Sequence, residues 1–266
     1  MNTENNLHIP DVQGSPDKRE LPITRVGVRD IQLPIKFNDG QTVQQTVAMA
    51  EMTVHLPHDK KGTHMSRFIE ILNETAEFSL DNLGEIHSKM LNRLSAEEGT
   101  INLAFPYFLE KAAPVSGMKS LMNYEVRISS DGGADDYGVY AEITVPVTSL
   151  CPCSKEISEY GAHNQRSHII ISILYDRNNP ITLAELAAIG ENGGSCPIWA
   201  TLKRPDEKFV TERAYENPKF VEDIVRDVAI ALNADDRISW YSVSSENFES
   251  IHNHSAYAII ECDKRA

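Results

Sequence analysis

The stretch YEVRISSDGGADDYGVYAEITVPV, residues 124–147, decides the fold class of this chain. In its first part, 124–128, and its last part, 137–147, apolar and polar residues alternate with the period of two that is typical of half-buried strands. The sequence Asp-Gly-Gly at 131–133 favours a turn between the two parts. Residues 101–108 alternate in the same way. The middle of the chain is therefore predicted to form strands.

Upstream of these strands, the pattern predicts a hairpin followed by helices. Short apolar runs lie on both sides of the turn sequence Asn-Asp-Gly-Gln at 38–41, which indicates two strands between Arg25 and Pro57. Apolar residues then recur at helical spacing over 65–72 and 83–94, which predicts a helical pair or one broken helix. Residues 1–23 are polar, contain several prolines and show no periodicity, so we expect a loosely ordered N-terminal arm.

Downstream of the same strands, the order of strands, helices and strands is repeated. The predicted elements are strands at 167–175, 238–243 and 257–262, and helices at 183–189 and 220–232. No linker separates the two cycles, although no residue-level repeat relates them. We therefore expect a single domain over 24–266 whose two similar halves, about 24–147 and 148–266, share one sheet.

The composition is that of a globular chain, with 266 residues of which 41% are hydrophobic and 24% charged. Its 25 basic and 39 acidic residues give a net charge of −14, which disfavours nucleic acid and anionic membranes as partners because both would be repelled. No run approaches the roughly 18 apolar residues of a membrane span, and the first residues lack the apolar segment of a signal peptide. We expect a cytoplasmic protein in which any anionic substrate meets a local basic pocket.

The densest group of reactive side chains lies in two polar stretches, LCPCSKE at 150–156 and GAHNQRSH at 161–168. Proline and glycine interrupt them, which indicates a loop held between strands. Cys151, Cys153 and His163 supply thiol and imidazole groups, which bind Zn²⁺-like ions, and no second cysteine pair is present to close a structural site. The pattern alone leaves three interpretations open: an open metal site, a thiol nucleophile paired with His163, or inert residues.

Three further groups carry weaker signals. The polar segment around Glu249 and His252 contains carboxylates and imidazoles that can bind metal or transfer protons. The charged run around Arg204 and Glu207 has cations for phosphate and carboxylates for metal, although such runs are usually solvated surface. Glu222 lies on a predicted amphipathic helix, where the pattern alone favours a solvent-facing acid.

A basic loop, HDKKGTHMSR at 58–67, leads directly into a predicted helix. Backbone N–H groups at the start of a helix, together with nearby cations, can bind an anion. The loop lacks the spacing of a Walker motif, which excludes a P-loop. It is therefore a candidate anion site of another kind.

Six segments of the chain resemble GTP cyclohydrolases of type IB: KGTHMSRF (61–68), PVTSLCPCSKEIS (146–158), GAHNQRSH (161–168), LKRPDEKFVTE (202–212), YENPKFVEDIVRDVA (215–229) and ENFESIHNHSAYA (246–258). The resemblance runs from about Leu21 to the C-terminus. It implies an α+β tunnelling fold (T-fold) with two tandem strand-helix-strand halves per chain and an antiparallel sheet with helices on one face. It also implies a homotetramer with active sites at the subunit interfaces. The implied reaction is metal-dependent hydrolysis and rearrangement of GTP to 7,8-dihydroneopterin triphosphate and formate, the first step of tetrahydrofolate biosynthesis.

The resemblance also assigns site residues position by position. The implied ligands of a divalent metal (Zn²⁺, Mn²⁺ or Fe²⁺) are Cys151, His163, Glu207, Glu249 and His252. The implied catalytic residues are Cys151, Cys153, His163 and His252. The implied substrate-binding residues are Glu222, Lys60, Lys61, His64, Ser66, Arg67 and Arg204, with Glu222 anchoring the guanine edge and the cations holding the triphosphate.

Two alternatives stay open. One is a T-fold nitrile reductase, whose nicotinamide motif should contain a Glu-Ser-Lys run; the nearest stretch here, SGMKSL at 116–121, lacks the acid. The other is a non-catalytic purine- or pterin-binding protein that kept the pocket. For a cyclohydrolase, we expect the basic loop, the Cys151 loop and Glu222 not to meet within one chain, so that each site is completed across an interface.

Overall fold

The structure is a computed structural model that describes residues 11–265, and its main feature is one large antiparallel sheet with helices on one side. The strands are β1 (Ile23–Asn38), β2 (Val43–Leu56), β3 (Glu98–Ala112), β4 (Lys119–Gly133), β5 (Gly138–Leu150), β6 (Asn164–Leu174), β7 (Cys196–Pro197), β8 (Trp240–Asn247) and β9 (Ala256–Asp263). The helices are α1 (Met65–Glu74), α2 (Leu80–Leu94), α3 (Pro152–Ile157), α4 (Leu183–Gly193), α5 (Arg204–Glu216) and α6 (Val221–Asn233). The expected α+β class is confirmed.

The order of strands in the sheet follows the chain almost without interruption, as β1-β2-β3-β4-β5-β6-β8-β9. Strand β4 pairs with β5 only as far as Glu125 and Thr144. Beyond that point the short strand β7 pairs with β5 instead, at Val147 and Thr148. The sheet therefore opens beside the end of β5, and β7 leads the chain from there towards α5.

Alternation along the strands separates a buried face from a partly exposed one. In β5, Ala141, Ile143 and Val145 are fully buried, whereas the side chains between them are only partly buried. The buried face packs against the helices, and Gly190 of α4 shows how closely, since a Cβ on it would lie 2.9 Å from Val145 Cγ2. Truncating a core side chain of this kind to alanine typically costs about 2–5 kcal/mol.

Most predicted elements are confirmed, including the first hairpin and the helical pair, which forms α1 and α2. The turn predicted at 131–133 is wrong, because these residues still belong to β4 and the chain turns at 134–137. Gly132 has φ +130°, and a Cβ there would lie 2.8 Å from Tyr137 Cα. The glycine therefore allows a close backbone approach within the sheet.

Two helices were not predicted. The polar stretch after Leu150 contains α3, which Cys151 caps and which has proline in its first turn. The charged run at 203–208 begins α5, where Asp206 accepts a hydrogen bond from the Lys203 N–H in a capping arrangement. Among the described residues, none of the helices has both the length and the apolar character needed to cross a membrane.

Residues 1–10 of the expected N-terminal arm lie outside the described part of the chain, whereas the rest of it can be placed. Residues 13–17 run alongside the loop that follows β2. The N–H groups of Lys61 and Gly62 donate to the carbonyls of Ser15 and Gln13, at 3.2 and 3.1 Å. This part of the arm therefore lies on the basic loop.

The two ends of the sheet are the reference points for the site. The cysteine end is where β5 and β8 finish, at Leu150 and Asn247, and where β6 begins. The lysine end is where β2 finishes, at Leu56, and where β3 and β5 begin. Strand β5 runs from one end to the other over 13 residues. At about 3.3 Å per residue, the two ends are about 40 Å apart.

Candidate active site

Cys151 and His163 are held together at the cysteine end. The Cys151 N–H donates to the His163 carbonyl at 3.1 Å, which closes the ladder between β5 and β6. The Ser154 hydroxyl joins both residues, since it donates to the Cys151 carbonyl at 3.1 Å and accepts the His163 N–H at 3.2 Å. The Cys151 sulfur accepts the Ser154 N–H at 3.5 Å and is half-buried. A thiol and an imidazole are thus fixed on neighbouring strand ends.

The imidazole of His163 has its contacts on one nitrogen. Its Nδ1 lies 3.0 Å from Gln165 Oε1 and 3.4 Å from the Ser250 hydroxyl. An amide oxygen only accepts hydrogen bonds, so the proton of the neutral ring belongs on Nδ1 in this arrangement. The other nitrogen, Nε2, then carries a lone pair and is the atom that can bind a metal ion or accept a proton.

The loop between β8 and β9 lies beside this pair and carries Glu249 and His252. It is fastened at its start, where the Phe248 N–H donates to the Arg166 carbonyl at 3.0 Å and the Phe248 ring packs edge-on to His168, with ring centroids 4.8 Å apart. Ser250 reaches His163, as described above. His252 is exposed and stacks on His254. The loop therefore adds a carboxylate and an imidazole to the cysteine end.

The first turns of α5 and α6 lie at the same end. The Lys219 N–H, just before α6, donates to the Leu150 carbonyl at 3.0 Å, which brings Glu222 to this end of the sheet. Arg204 and Glu207 lie in the first turn of α5, and both are exposed. Glu222 is exposed as well. Glu222 is thus brought to the cysteine end by a backbone contact, whereas the first turn of α5, with Arg204 and Glu207, is held by the turn between β3 and β4.

Asp206 anchors α5, and the sequence analysis did not single it out. It is fully buried, and its carboxylate accepts the N–H groups of Val115 and Ser116, both at 2.8 Å, the Ser116 hydroxyl at 2.7 Å and the Lys203 N–H at 2.8 Å. Burial opposes its ionisation, but these hydrogen bonds outweigh that effect and hold the pKa of Asp206 well below its ordinary value. The sequence Pro-Asp-Glu at 205–207, with proline and acids as in a first helical turn, is the signal that could have revealed a helix start here.

The cysteines differ in their surroundings. Cys153 is exposed on α3, and Cys151 is half-buried. Cys196 is fully buried in β7, and burial raises the pKa of its thiol. Because the thiolate is the reactive and metal-binding form, the two cysteines of the Cys-Pro-Cys sequence are the better candidates for chemistry.

The expected metal ligands lie towards one end of the sheet but do not form a closed coordination shell. Among residues 11–265, no three His, Cys, Asp or Glu side chains converge closely enough to hold a metal ion. The donor types still suit one, because Cys151 supplies a sulfur donor and His163 Nε2 a nitrogen donor on neighbouring strand ends. Carboxylates and an imidazole lie on the surrounding segments. The arrangement is that of an open site whose remaining ligands have to be brought in.

The basic loop lies at the other end of the sheet. It follows Leu56, so Lys60, Lys61, His64, Ser66 and Arg67 all lie at the lysine end. The Arg67 guanidinium donates to the Arg93 carbonyl at 3.0 Å, and His64 Nε2 lies 3.3 Å from the carboxylate of Asp11. The structure therefore gathers Cys151, Cys153, His163, Arg204, Glu207, Glu222, Glu249 and His252 at the cysteine end and separates the five residues of the basic loop from them.

Comparison with known proteins identifies the family of the chain. The family model described as type I GTP cyclohydrolase folE2 matches residues 9–258. The chain belongs to this family of enzymes. The GTP cyclohydrolase FolE2 of Dichelobacter nodosus is 61% identical over 257 residues, which cover 96% of this chain and 98% of that one. The FolE2 of Nitrosomonas eutropha is 56% identical over 261 residues, with 97% of both chains covered. The family expected from the six segments is confirmed.

Solved structures show that the fold of this FolE2 family member extends to other enzymes. A uricase from Bacillus fastidious superposes with a TM-score of 0.55 at 9% identity, covering 91% of this chain and 93% of that one. A hyper-thermostable AgUricase mutant gives a TM-score of 0.51 at 6% identity, covering 90% and 92%. At such low identity, the likeness shows a shared fold and carries no information about the reaction.

Proposed function

We propose that the chain acts as a GTP cyclohydrolase I of type IB and converts GTP and water to 7,8-dihydroneopterin triphosphate and formate, the first step of tetrahydrofolate biosynthesis. Membership of the FolE2 family supports this activity. The structural observation that carries the proposal is the fixed pair of Cys151 and His163, joined by a 3.1 Å backbone hydrogen bond at the end of the sheet that also carries Glu222. It supplies donors for a metal at the same end of the sheet as an acid that suits guanine.

The pair of Cys151 and His163 is proposed to hold a divalent metal, with Glu207, Glu249 and His252 as further ligands. When bound, the metal supplies activated water for attack on C8 of guanine, because it lowers the pKa of that water. Thiolate favours Zn²⁺, imidazole also suits iron and carboxylates admit Mn²⁺, so this mixed set suits any of the three ions. His252 is exposed on its loop and is proposed to exchange protons with the opening imidazole ring. Cys153, exposed on α3, is proposed as the second active-site cysteine.

Glu222 is proposed to bind the guanine edge. An ionised carboxylate has two acceptor oxygens, and the N1 and exocyclic amino groups of guanine present two donors side by side. Adenine presents an acceptor at the matching position and would leave a carboxylate oxygen unpaired. Unpaired polar groups of this kind discriminate strongly between substrates. Arg204, in the first turn of α5 at the same end, is proposed to contact the substrate phosphates.

The basic loop is proposed to bind the triphosphate of a GTP molecule held by a second subunit. Within one chain it lies at the opposite end of the sheet from Cys151, and the 13 residues of β5 between these ends span about 40 Å at about 3.3 Å per residue, farther than one nucleotide reaches. Lys60, Lys61, His64, Ser66 and Arg67 would therefore act on the cysteine end of a neighbour, which suits a homotetramer with interface active sites. The two tandem halves of the proposed tunnelling fold, about 24–147 and 148–266, stay a prediction.

Formate release tests the function. Metal-free protein should release no formate from GTP, and formate and dihydroneopterin triphosphate should appear after addition of Zn²⁺, Mn²⁺ or Fe²⁺. A protein that binds GTP or a pterin without turnover under all three metals would be the non-catalytic alternative. NADPH-dependent reduction of a nitrile with no formate from GTP would indicate the reductase. The cytoplasmic location stays a prediction.

A further inference from the structure

The side chains on the buried face of the sheet change from apolar to polar towards the cysteine end. Along β6, the buried positions are Ile173, Ile171 and Ile169, and then Ser167 and Gln165. The neighbouring strands change in the same way, to Ser149 in β5 and to Ser245 in β8. Burying polar side chains is costly unless they are hydrogen-bonded, and protein cores are mainly apolar. Such a local departure from apolar packing is expected mainly at functional positions.

The polar side chains of β5 and β6 form a chain of hydrogen bonds that ends on His163. Ser149 and Ser167 are fully buried and their hydroxyls lie 2.7 Å apart. The Gln165 amide N–H₂ donates to the Ser149 hydroxyl at 2.8 Å. This contact turns the amide oxygen of Gln165, which is 8% exposed, towards His163 Nδ1 at 3.0 Å. Ser149 and Gln165 are also directly paired across the two strands, so the orientation of the amide is fixed from two sides.

We infer that Gln165 is a positioning residue that keeps His163 in its Nδ1–H form and so presents the lone pair of Nε2 to the metal. The inference rests on the proposed function, because it needs His163 as a ligand. Histidine ligands commonly donate their second N–H to a fixed acceptor, and loss of such an acceptor lowers metal affinity by about 10- to 100-fold. Gln165 supplies that acceptor, and the two serines orient it.

The first test observes the tautomer in metal-free protein labelled with ¹⁵N-histidine. The imidazole signals of His163, assigned by their absence in a His163→Ala variant, should show the proton on Nδ1. In Gln165→Leu this preference should disappear, and in Gln165→Glu, which keeps an acceptor at the same place, it should persist. A His163 ring protonated on Nε2 in the wild-type protein would overturn the inference, whatever the enzyme's activity.

The second test measures Zn²⁺ affinity by competition with a chelator of known affinity. Gln165→Leu should bind Zn²⁺ about 10- to 100-fold more weakly than the wild type, and Gln165→Glu should restore most of the loss. Ser245→Ala, a change in the same buried polar layer outside the chain to His163, is the matched control and should bind Zn²⁺ normally. Equal affinity of Gln165→Leu and the wild type would refute the positioning role.

If His163→Ala keeps its Zn²⁺, the proposed metal site is wrong, and the tautomer measurement still tests the role of Gln165 on its own. If Gln165→Leu does not fold, the imidazole spectra of the wild type and of Gln165→Glu still test the inference.

Discussion

The two ends of the sheet present their functional groups in different ways. At the cysteine end, His163 is oriented by a side chain that is itself buried and hydrogen-bonded, and Cys151 is fixed by the ladder and by Ser154. At the lysine end, the backbone of the basic loop pairs with residues 13–17, the Lys60 ammonium donates to the Ser95 carbonyl at 3.0 Å, and Lys61 is exposed. The cysteine end therefore fixes the positions of donor atoms, and the lysine end mainly supplies positive charge.

This difference matches what each end is proposed to bind. A metal ion and a reacting carbon require donor atoms at defined distances and angles, which buried hydrogen bonds supply. A triphosphate can be held by flexible ammonium groups acting as point charges. The net charge of −14 makes such a local group of cations necessary for an anionic substrate. Changes at the cysteine end should therefore have the larger effects.

The largest expected effect comes from removing a fixed donor. Cys151→Ala should lower bound metal and turnover by at least several hundred-fold, more than the 10- to 100-fold that is typical for the residues behind a ligand. Metal analysis and formate release would measure the two losses. Cys262→Ala, a half-buried cysteine in β9, is the control and should retain both. Full metal content with full turnover in Cys151→Ala would show that Cys151 takes no part in metal binding or in the reaction.

The next effect tests whether Glu222 belongs to the same centre or to the surface. Glu222→Gln places an N–H₂ donor against a guanine donor and should cost about 3 kcal/mol in kcat/KM, with the metal retained. Steady-state kinetics with GTP would measure it. Glu85→Gln, an equally exposed acid on α2, should leave the kinetics unchanged. Kinetics of Glu222→Gln within twofold of the wild type would mean that Glu222 is only a surface acid.

The third prediction tests whether the two ends act in one site across an interface. Cys151→Ala subunits and Lys61→Ala/Arg67→Ala subunits each form defective sites alone. After subunit exchange at equal amounts, random mixing should restore about a quarter of the wild-type sites, because each needs one intact end from each chain. Glu222→Gln with Cys151→Ala should not complement in this way, since both changes lie at the cysteine end. An active monomer in light scattering would refute the shared site.

The sequence predicted the strands, most helices and the family, because these depend on periodicity and on long motifs. It also led us to expect the basic loop and the Cys151 loop to be separate within one chain. It did not show that Glu222 lies at the same end as Cys151, because a contact between distant segments, from the Lys219 N–H to the Leu150 carbonyl, decides this. Gln165 and Asp206 were missed for a related reason. Each is a common polar residue in a polar stretch, and only burial by other segments gives it a role. The assignments of individual site residues stay predictions.

The smallest expected effect concerns the support of the cysteine end by Asp206. Its carboxylate holds the start of α5 to the turn between β3 and β4, and its pKa is lowered by the hydrogen bonds that outweigh burial. A lowered pKa in the folded state means that the stabilisation is complete above an aspartate's ordinary pKa of about 4 and is lost as the pH falls through the lower folded value. Asp206→Asn should therefore lower the Tm by a few degrees at neutral pH, and the difference from the wild type should shrink below pH 4. Asp223→Asn, which removes a similar cap from α6 without a contact to that turn, is the matched control and should change the Tm less. A Tm difference for Asp206→Asn that stays constant from neutral to strongly acidic pH would show that the ionised carboxylate does not hold α5.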